Sequence, residues 1–437
     1  MEFGRVFSFN HTRPSHSSSH FDIITFHIFG TICGKLAHNF QVLTIFTHSI
    51  MSVVQIRNIL LIFLMLKAST LSAQPYPGIY QSGQWLPLLH GKRFALAVHH
   101  ASMRDSVHLI DFVLSKGLKP TVIFTPEHGL TGMASAGEKV GHSQYKGIPV
   151  ISLYGDRKKP TPTDLQGVDI VLFDMQDMGV RFFTYISTLS YIMEACAEQG
   201  KKIIVLDRPN PHAHYIDGPL LRKGFESFVG LHPVPIVYGM TIGEYARMVN
   251  GEGWLKNGVK ADLLVVKIKD YDRKKRYFPP VPPSPNLRTR AAMLLYPSLC
   301  LFEGTPISVG RGTDRPFEII GSPTFADGDF YFTPETRPGA SNPPYAGQKC
   351  RGFDLRHFAE NFMADATFLY LDWLLGSVEL DPNPSKFFTP FFDKLAGTDQ
   401  LRKQILAGMK AEDIRNSWAE ELAAFQRIRS KYLLYPD

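Results

Sequence analysis

Four apolar runs constrain this chain more than any other feature. "RFALAVHH" (93–100), "PTVIFTPEHG" (120–129), "VDIVLFDMQDMG" (168–179) and "KKIIVLDRPNP" (201–211) each read as a β-branched-rich strand. Each then breaks abruptly into His, Glu, Asp, Arg or Asn. A strand that is apolar at nearly every position is buried on both faces, which is the signature of a parallel sheet. Helical patterns separate the runs: "DSVHLIDFVLSKG" (105–117) and "YISTLSYIMEACAEQG" (185–200), the second closing on Gly200. Strand and helix in alternation predict a doubly wound, mostly parallel α/β sheet, in which functional side chains gather beyond the carboxyl ends of the strands. The polar breaks fall at those ends. A further strand, helix and strand, "PIVYG", "TIGEYARMVNG" and "DLLVVKI", carry the domain to about residue 268.

The stretch "YFPPVPPSPN" (277–286) holds five prolines in ten residues, a density that excludes a helix or a central strand. The chain therefore divides into an α/β domain over 74–277, a Pro-rich linker over 278–286, and a smaller α+β domain over 287–437. The second domain holds Gly/Pro-rich turns and then helical stretches such as "DLRHFAENFMADA" and "AEDIRNSWAEELAAFQRIRSKYLL". The beginning reads differently. Residues 1–50 show no clear period and read as an over-called upstream segment. From Met51, "MSVVQIRNILLIFLMLKASTLSAQ" places Arg57 before an apolar core and small residues after it. That is the form of a signal peptide over 51–73, too short to span a membrane. The expected location is periplasmic or secreted. No Cys near the cleavage point offers a lipid attachment site, so no stable membrane anchor is expected.

Residues 1–73 carry five Lys/Arg and two Asp/Glu, so the formal charge of +7 falls to +4 without them. With "RKKR" (273–276) as the longest basic run, nucleic acid is not an expected partner. Cys196, Cys300 and Cys350 stand singly, with no CxxC pair. The compartment permits one disulfide, and Cys196 at least reads as a buried free thiol.

"FTPEHGLTGMASAGEKV" (124–140) admits three chemistries. A phosphate cradle fails: Gly132 and Gly137 have the right spacing, but Glu138 precedes Lys139 and Val140 replaces the hydroxyl that would bind magnesium. A metal site would draw on His99, His100, Glu127, His128, Asp174 and Asp177, yet no HExxH or comparable close spacing occurs. The third chemistry is an acid in a polar cleft. A carboxyl at the end of a buried strand is poorly hydrated, which suits a general acid, and neighbouring histidines can hold it. Capping of the following turn is the competing role for Glu127.

"PEHGLTG", "LFDMQDMGVRFFTYISTL", "VLDRPNP", "GMTIGEYARMVNGEGWL", "PPSPNL" and "YPSLCLFEGTPISVGRGTDRPFEIIGSP" occur in this order between Trp85 and Tyr435. Together they resemble the DUF1343 family, whose characterised members are exo-β-N-acetylmuramidases of the NamZ type. The resemblance implies a Rossmann-like domain, a smaller C-terminal domain and an active site between them. It also implies removal of non-reducing-end N-acetylmuramic acid from peptidoglycan-derived MurNAc–GlcNAc fragments, with no cofactor and no metal. The family's proposed catalytic glutamate corresponds to Glu127. Many members carry "NQT" where this chain has "HHAS" (99–102), so no role is assigned to His99 or His100.

With a sugar as substrate, a second group activates water or steadies charge at the anomeric carbon. Asp174 and Glu303 are the candidates, and Asp177 lies beside the first. Asp207 and Asn210 of "LDRPNP" either bond sugar hydroxyls or shape the turn. His128, Asn286 and Asp314 complete the expected substrate-binding set. A lactyl carboxylate calls for a two-pronged guanidinium, which Arg181 or Arg311 can supply; the competing role for each is an ordinary ion pair. The rival readings are a metal-dependent hydrolase on the same sheet and a non-catalytic sugar-binding protein.

Overall fold

The apolar runs fold as Phe94–Val98 (β1), Val122–Thr125 (β2), Ile170–Asp174 and Lys202–Leu206, and they are joined by Ser143–Tyr145, Ile148–Ser152 and Asp262–Val266. In chain order the later strands are Ser143–Tyr145 (β3), Ile148–Ser152 (β4), Ile170–Asp174 (β5), Lys202–Leu206 (β6) and Asp262–Val266 (β7). The sheet order is β3-β4-β2-β1-β5-β6-β7, parallel throughout except for the β3–β4 pair. This computed structural model describes residues 74–135, 138, 141 and 143–437, and the upstream and signal segments expected from the sequence lie outside that range.

Alternation along β1 explains why its apolar run is unbroken. Ala95 and Ala97 face one core with Val171 and Phe173, while Phe94, Leu96 and Val98 face the other with Ile170 and Leu172. Each fully buried Leu, Ile or Phe contributes about 1.5–3 kcal/mol, so both faces must be covered. Helices Leu109–Ser115 (α1), Tyr185–Glu198 (α2) and Ile242–Gly251 (α3) supply the cover. Thr241 and Glu244 form a reciprocal capping box at the start of α3. The order reverses between β1 and β5. Beyond the carboxyl ends of these strands lies the crevice where such sheets hold ligands.

Two expectations change. "PIVYG" is not a strand of the sheet; Val237 makes only single bridges, to Val180 and Asp217. The β3–β4 hairpin has no strong sequence signal, because its turn is Lys146–Gly147 and carries no Asn or Asp. Both turn residues have positive φ, 51° and 71°, as a type I′ turn requires.

The C-terminal part has helix Arg290–Leu299 (α4) and three antiparallel strands, Ile319–Ser322 (β8), Phe330–Phe332 (β9) and Cys350–Asp354 (β10). Further helices include Asp372–Glu379 (α5) and Pro390–Ala396 (α6). Residues 75–437 form one compact unit. Arg181, fully buried, ties the two parts together. Its Nη1 donates to Pro219 O and Val234 O, and its Nη2 to Leu395 O and Ala396 O, at 2.7–3.0 Å. The last two are the open carbonyls at the end of α6, where a cation also meets the negative end of the helix dipole. Cys196, Cys300 and Cys350 are buried free thiols.

Candidate active site

β2 buries all four residues, Pro126 stays buried, and Glu127 is the first side chain to gain partial exposure. Thr184 donates its hydroxyl to Glu127 Oε2 at 3.2 Å. Thr184 occupies the N-cap position of α2 yet makes no side-chain cap bond. Its hydroxyl is spent on the glutamate instead.

His128 follows with φ of 71°, a left-handed conformation that costs a non-glycine residue on the order of 1–3 kcal/mol. Two contacts hold it there. Nδ1 lies 2.7 Å from Ala134 O, and Nε2 faces Ser284 Oγ at 3.3 Å. A carbonyl can only accept, so Nδ1 carries the proton and Nε2 is left as an acceptor. Burial lowers the His128 pKa, opposed by the Glu127 charge and by its bond to Ala134 O, which keeps the ring neutral near neutrality. Phe317, across the same pocket, also has a positive φ, 61°. Strain on two walls of one cavity is a mark of a functional site.

The C-terminal part brings in Arg311. Its Nε donates to Glu303, and its guanidinium lies 4.9 Å from the Phe317 ring centroid. Desolvation works against the charged guanidinium, but the Glu303 carboxylate outweighs it and raises the Arg311 pKa. Its two terminal nitrogens make no hydrogen bond among the described residues, and Arg311 lines the same narrow cavity as Glu127 and His128. Phe182, Phe183, Tyr185 and Tyr296 form its aromatic walls. Tyr185 donates to Pro283 O at 3.2 Å, so the Pro-rich segment is a packed side of the site.

The structure thus gathers Glu127, His128 and Arg311, with Glu303 directly behind the arginine. It places the other expected residues elsewhere. Asp174 is fully buried, with Arg208 Nε and Nη2 on its two oxygens at 2.5 and 2.8 Å, a closed ion pair away from the cavity. Asp177 is buried beneath the site, where Gly179 N and the Tyr238 hydroxyl bond its Oδ2; burial pushes its pKa up to about 6. Arg181 spends its guanidinium on carbonyls, as described above, and reads no ligand. Asp207 accepts from Thr241, Tyr435, Gly243 N and Arg208 N, and so fastens α3 to the 434–437 tail. Asn210 bridges Met240 O and His212 N, which is the turn-shaping role. Asn286 Nδ2 donates to Gly339 O at 3.1 Å. Asp314 is exposed and pairs with Arg337. Among the described residues, no group of three or more His, Cys, Asp or Glu is arranged to hold a metal ion.

Thr184, Tyr185, Ser284, Tyr296 and Phe317 line the cavity as well, beyond the residues expected from the sequence. One signal was available: a threonine opening a helix, directly after two phenylalanines, in a motif already singled out. Ser284 and Phe317 carried none, because only folding brings them to β2.

Fold and site together define a two-part α/β protein. Its acid stands at the carboxyl edge of a doubly wound sheet, and its guanidinium comes from the second part. The chain belongs to the exo-β-N-acetylmuramidase NamZ family, whose N-terminal model matches residues 94–291 and whose C-terminal model matches 294–435. It is 40% identical over 368 residues to the peptidoglycan β-N-acetylmuramidase NamZ of Bacillus subtilis (strain 168), covering 79% of this chain and 88% of that protein. Two crystal structures of DUF1343 family proteins from Bacteroides fragilis NCTC 9343 share the fold. One matches with a TM-score of 0.77 at 40% identity, over 84% of this chain and 100% of the other. The second gives 0.71 at 27% identity, over 83% and 99%.

Proposed function

We propose that this chain is an exo-acting glycosidase that releases N-acetylmuramic acid from the non-reducing ends of peptidoglycan-derived MurNAc–GlcNAc fragments. One observation carries the reading: Glu127 and Arg311 line the same aromatic-walled cavity. Glu127 gives its proton to the glycosidic oxygen as the bond to the anomeric carbon breaks, and the aglycone leaves as an alcohol. Arg311 receives the lactyl carboxylate on its terminal nitrogens while Glu303 holds Nε.

Glu127 is the one carboxylate among the described residues that line the cavity. In this reading the positive charge at the anomeric carbon is met by the substrate's own 2-acetamido oxygen, the route of substrate-assisted glycosidases. Glu127, now a carboxylate, then takes a proton from the water that opens this intermediate and returns to its acid form. Two displacements at one carbon retain the anomeric configuration. The apolar stretch after Met51 supports export, and no described helix is long and apolar enough to cross a membrane. We place the protein's work outside the inner membrane, on cell-wall fragments.

The test is to incubate residues 74–437 with a defined MurNAc–GlcNAc disaccharide and follow the products by proton NMR. Release of N-acetylmuramic acid, first as the β-anomer, is expected. Binding without cleavage would leave a sugar-binding protein, and first release of the α-anomer would contradict the acetamido route.

A further inference from the structure

A second, larger cavity of about 520 Å³ adjoins the Glu127 pocket, within the range of small-ligand sites. Ser284 lines both cavities, and its hydroxyl is the one that faces His128. The Glu127 pocket is narrow and ends against Arg311 and its aromatic walls. The larger one is bounded by His100, Met133, Pro282, Pro285, Arg288 and Arg337.

Its walls are fixed rather than loose. His100 Nε2 donates to Pro282 O at 2.7 Å. Gly132 lies so close that a Cβ there would come within 2.4 Å of His100 Nδ1, and its φ of 69° suits only glycine. Ser135 Oγ accepts from Ser341 N at 2.9 Å, and Asn286 Nδ2 holds Gly339 O, so loops 131–135 and 337–341 are tied on either side.

The lining chemistry is that of a sugar site. Proline rings and Met133, 59% exposed, offer a flat apolar face to the C–H side of a pyranose. A polar group joins them: Arg288 is exposed, and among the described residues its guanidinium is held only through Nε to Pro285 O. Arg337 is already paired with Asp314 and Glu335, which leaves Arg288 to donate to a ring hydroxyl or an acetamido oxygen.

We propose that this cavity is the aglycone groove, which receives the N-acetylglucosamine ring that follows the released residue; the inference rests on the glycosidase reading above. The geometry gives direction to the substrate. The lactyl group of the released ring points into the narrow pocket beside Arg311, the scissile oxygen lies by Glu127, and the rest of the chain leaves over the Pro-rich wall.

The test compares two substrates on the same enzyme: the MurNAc–GlcNAc disaccharide and a β-muramyl fluoride, whose leaving group is a single atom. For Arg288→Ala, the ratio of disaccharide to fluoride kcat/KM should fall about tenfold, the share of one hydrogen bond to a charged group. Met133→Trp, which narrows the groove from its exposed rim, should lower the same ratio. Fluoride turnover also reports that each variant is folded. If both substrates react with the wild type but the ratio is unchanged in both variants, the groove lies elsewhere. If the wild type cleaves neither substrate, the glycosidase reading fails and takes this inference with it.

Discussion

Replacing Arg311 by alanine removes a cavity-lining guanidinium whose Nε is held by Glu303 and whose plane rests near Phe317, and whose terminal nitrogens make no hydrogen bond among the described residues. A lactyl carboxylate on that fork makes charge-assisted hydrogen bonds. Their loss is worth about 1.5–3 kcal/mol, or roughly 10- to 150-fold in kcat/KM. N-acetylglucosaminides lack the lactyl group and lose only what the guanidinium does for the pocket's shape. The expected result is a fall of that size for muramides and a fall of at most a few-fold for glucosaminides. Arg311→Lys keeps the charge but not the planar fork, so it should recover only part of the muramide rate. The assay is steady-state kinetics on matched aryl muramide and aryl glucosaminide substrates. Equal losses on both, or none on either, would refute Arg311 as the reader of the lactyl group.

Thr184→Val removes the hydroxyl on Glu127 Oε2 without changing side-chain shape, so kcat should fall roughly tenfold with a displaced pH profile, and Thr184→Ser should restore both. A Ser variant no better than Val would end the positioning role. Arg181→Met leaves four carbonyls without their donor and should cost about 3 kcal/mol or more, read as a lower urea midpoint at unchanged m, with muramide selectivity intact. Lost selectivity would return Arg181 to the site. Burial pushes His212 down to about 3 and His214 and His232 down to about 4, so below pH 6.5 the unfolded chain takes up protons that the folded chain refuses, and stability is lost as pH falls towards 4. Asp207 and Asp177, raised by burial to about 7 and 6, act in the opposite sense, as do Asp217 and Asp372, but burial also lowers His99, His100, His108 and His128, so the histidines outnumber them. Tm should therefore drop between pH 6.5 and 4, and a flat or rising Tm would contradict this.

The sheet was legible because double-sided burial writes itself into composition: β1, β2, β5 and β6 are apolar at nearly every position. Glu127 and Arg311 were legible for a related reason. One ends a buried strand, and the other sits in a glycine-flanked turn. What the sequence does not carry is how each polar group spends its bonds. Asp174, Asp207, Asn210 and Arg181 look like Glu127 in one dimension, as polar residues at strand ends. In three dimensions Arg208, Tyr435, Met240 O and the carbonyls of α6 consume them. Those partners lie up to more than two hundred residues away, so no local pattern announces them. The far walls of the site, Ser284 and Phe317, were hidden for the same reason.

The central claim is that Glu127 delivers the proton, and the Glu127→Gln variant tests it most directly. Glutamine keeps the size and can still accept from Thr184, but it has no acidic proton. On the disaccharide, kcat should fall on the order of 10²–10⁴-fold with KM little changed, and the loss should shrink on an aryl muramide with a good leaving group. Disaccharide turnover at the wild-type rate would contradict the claim outright.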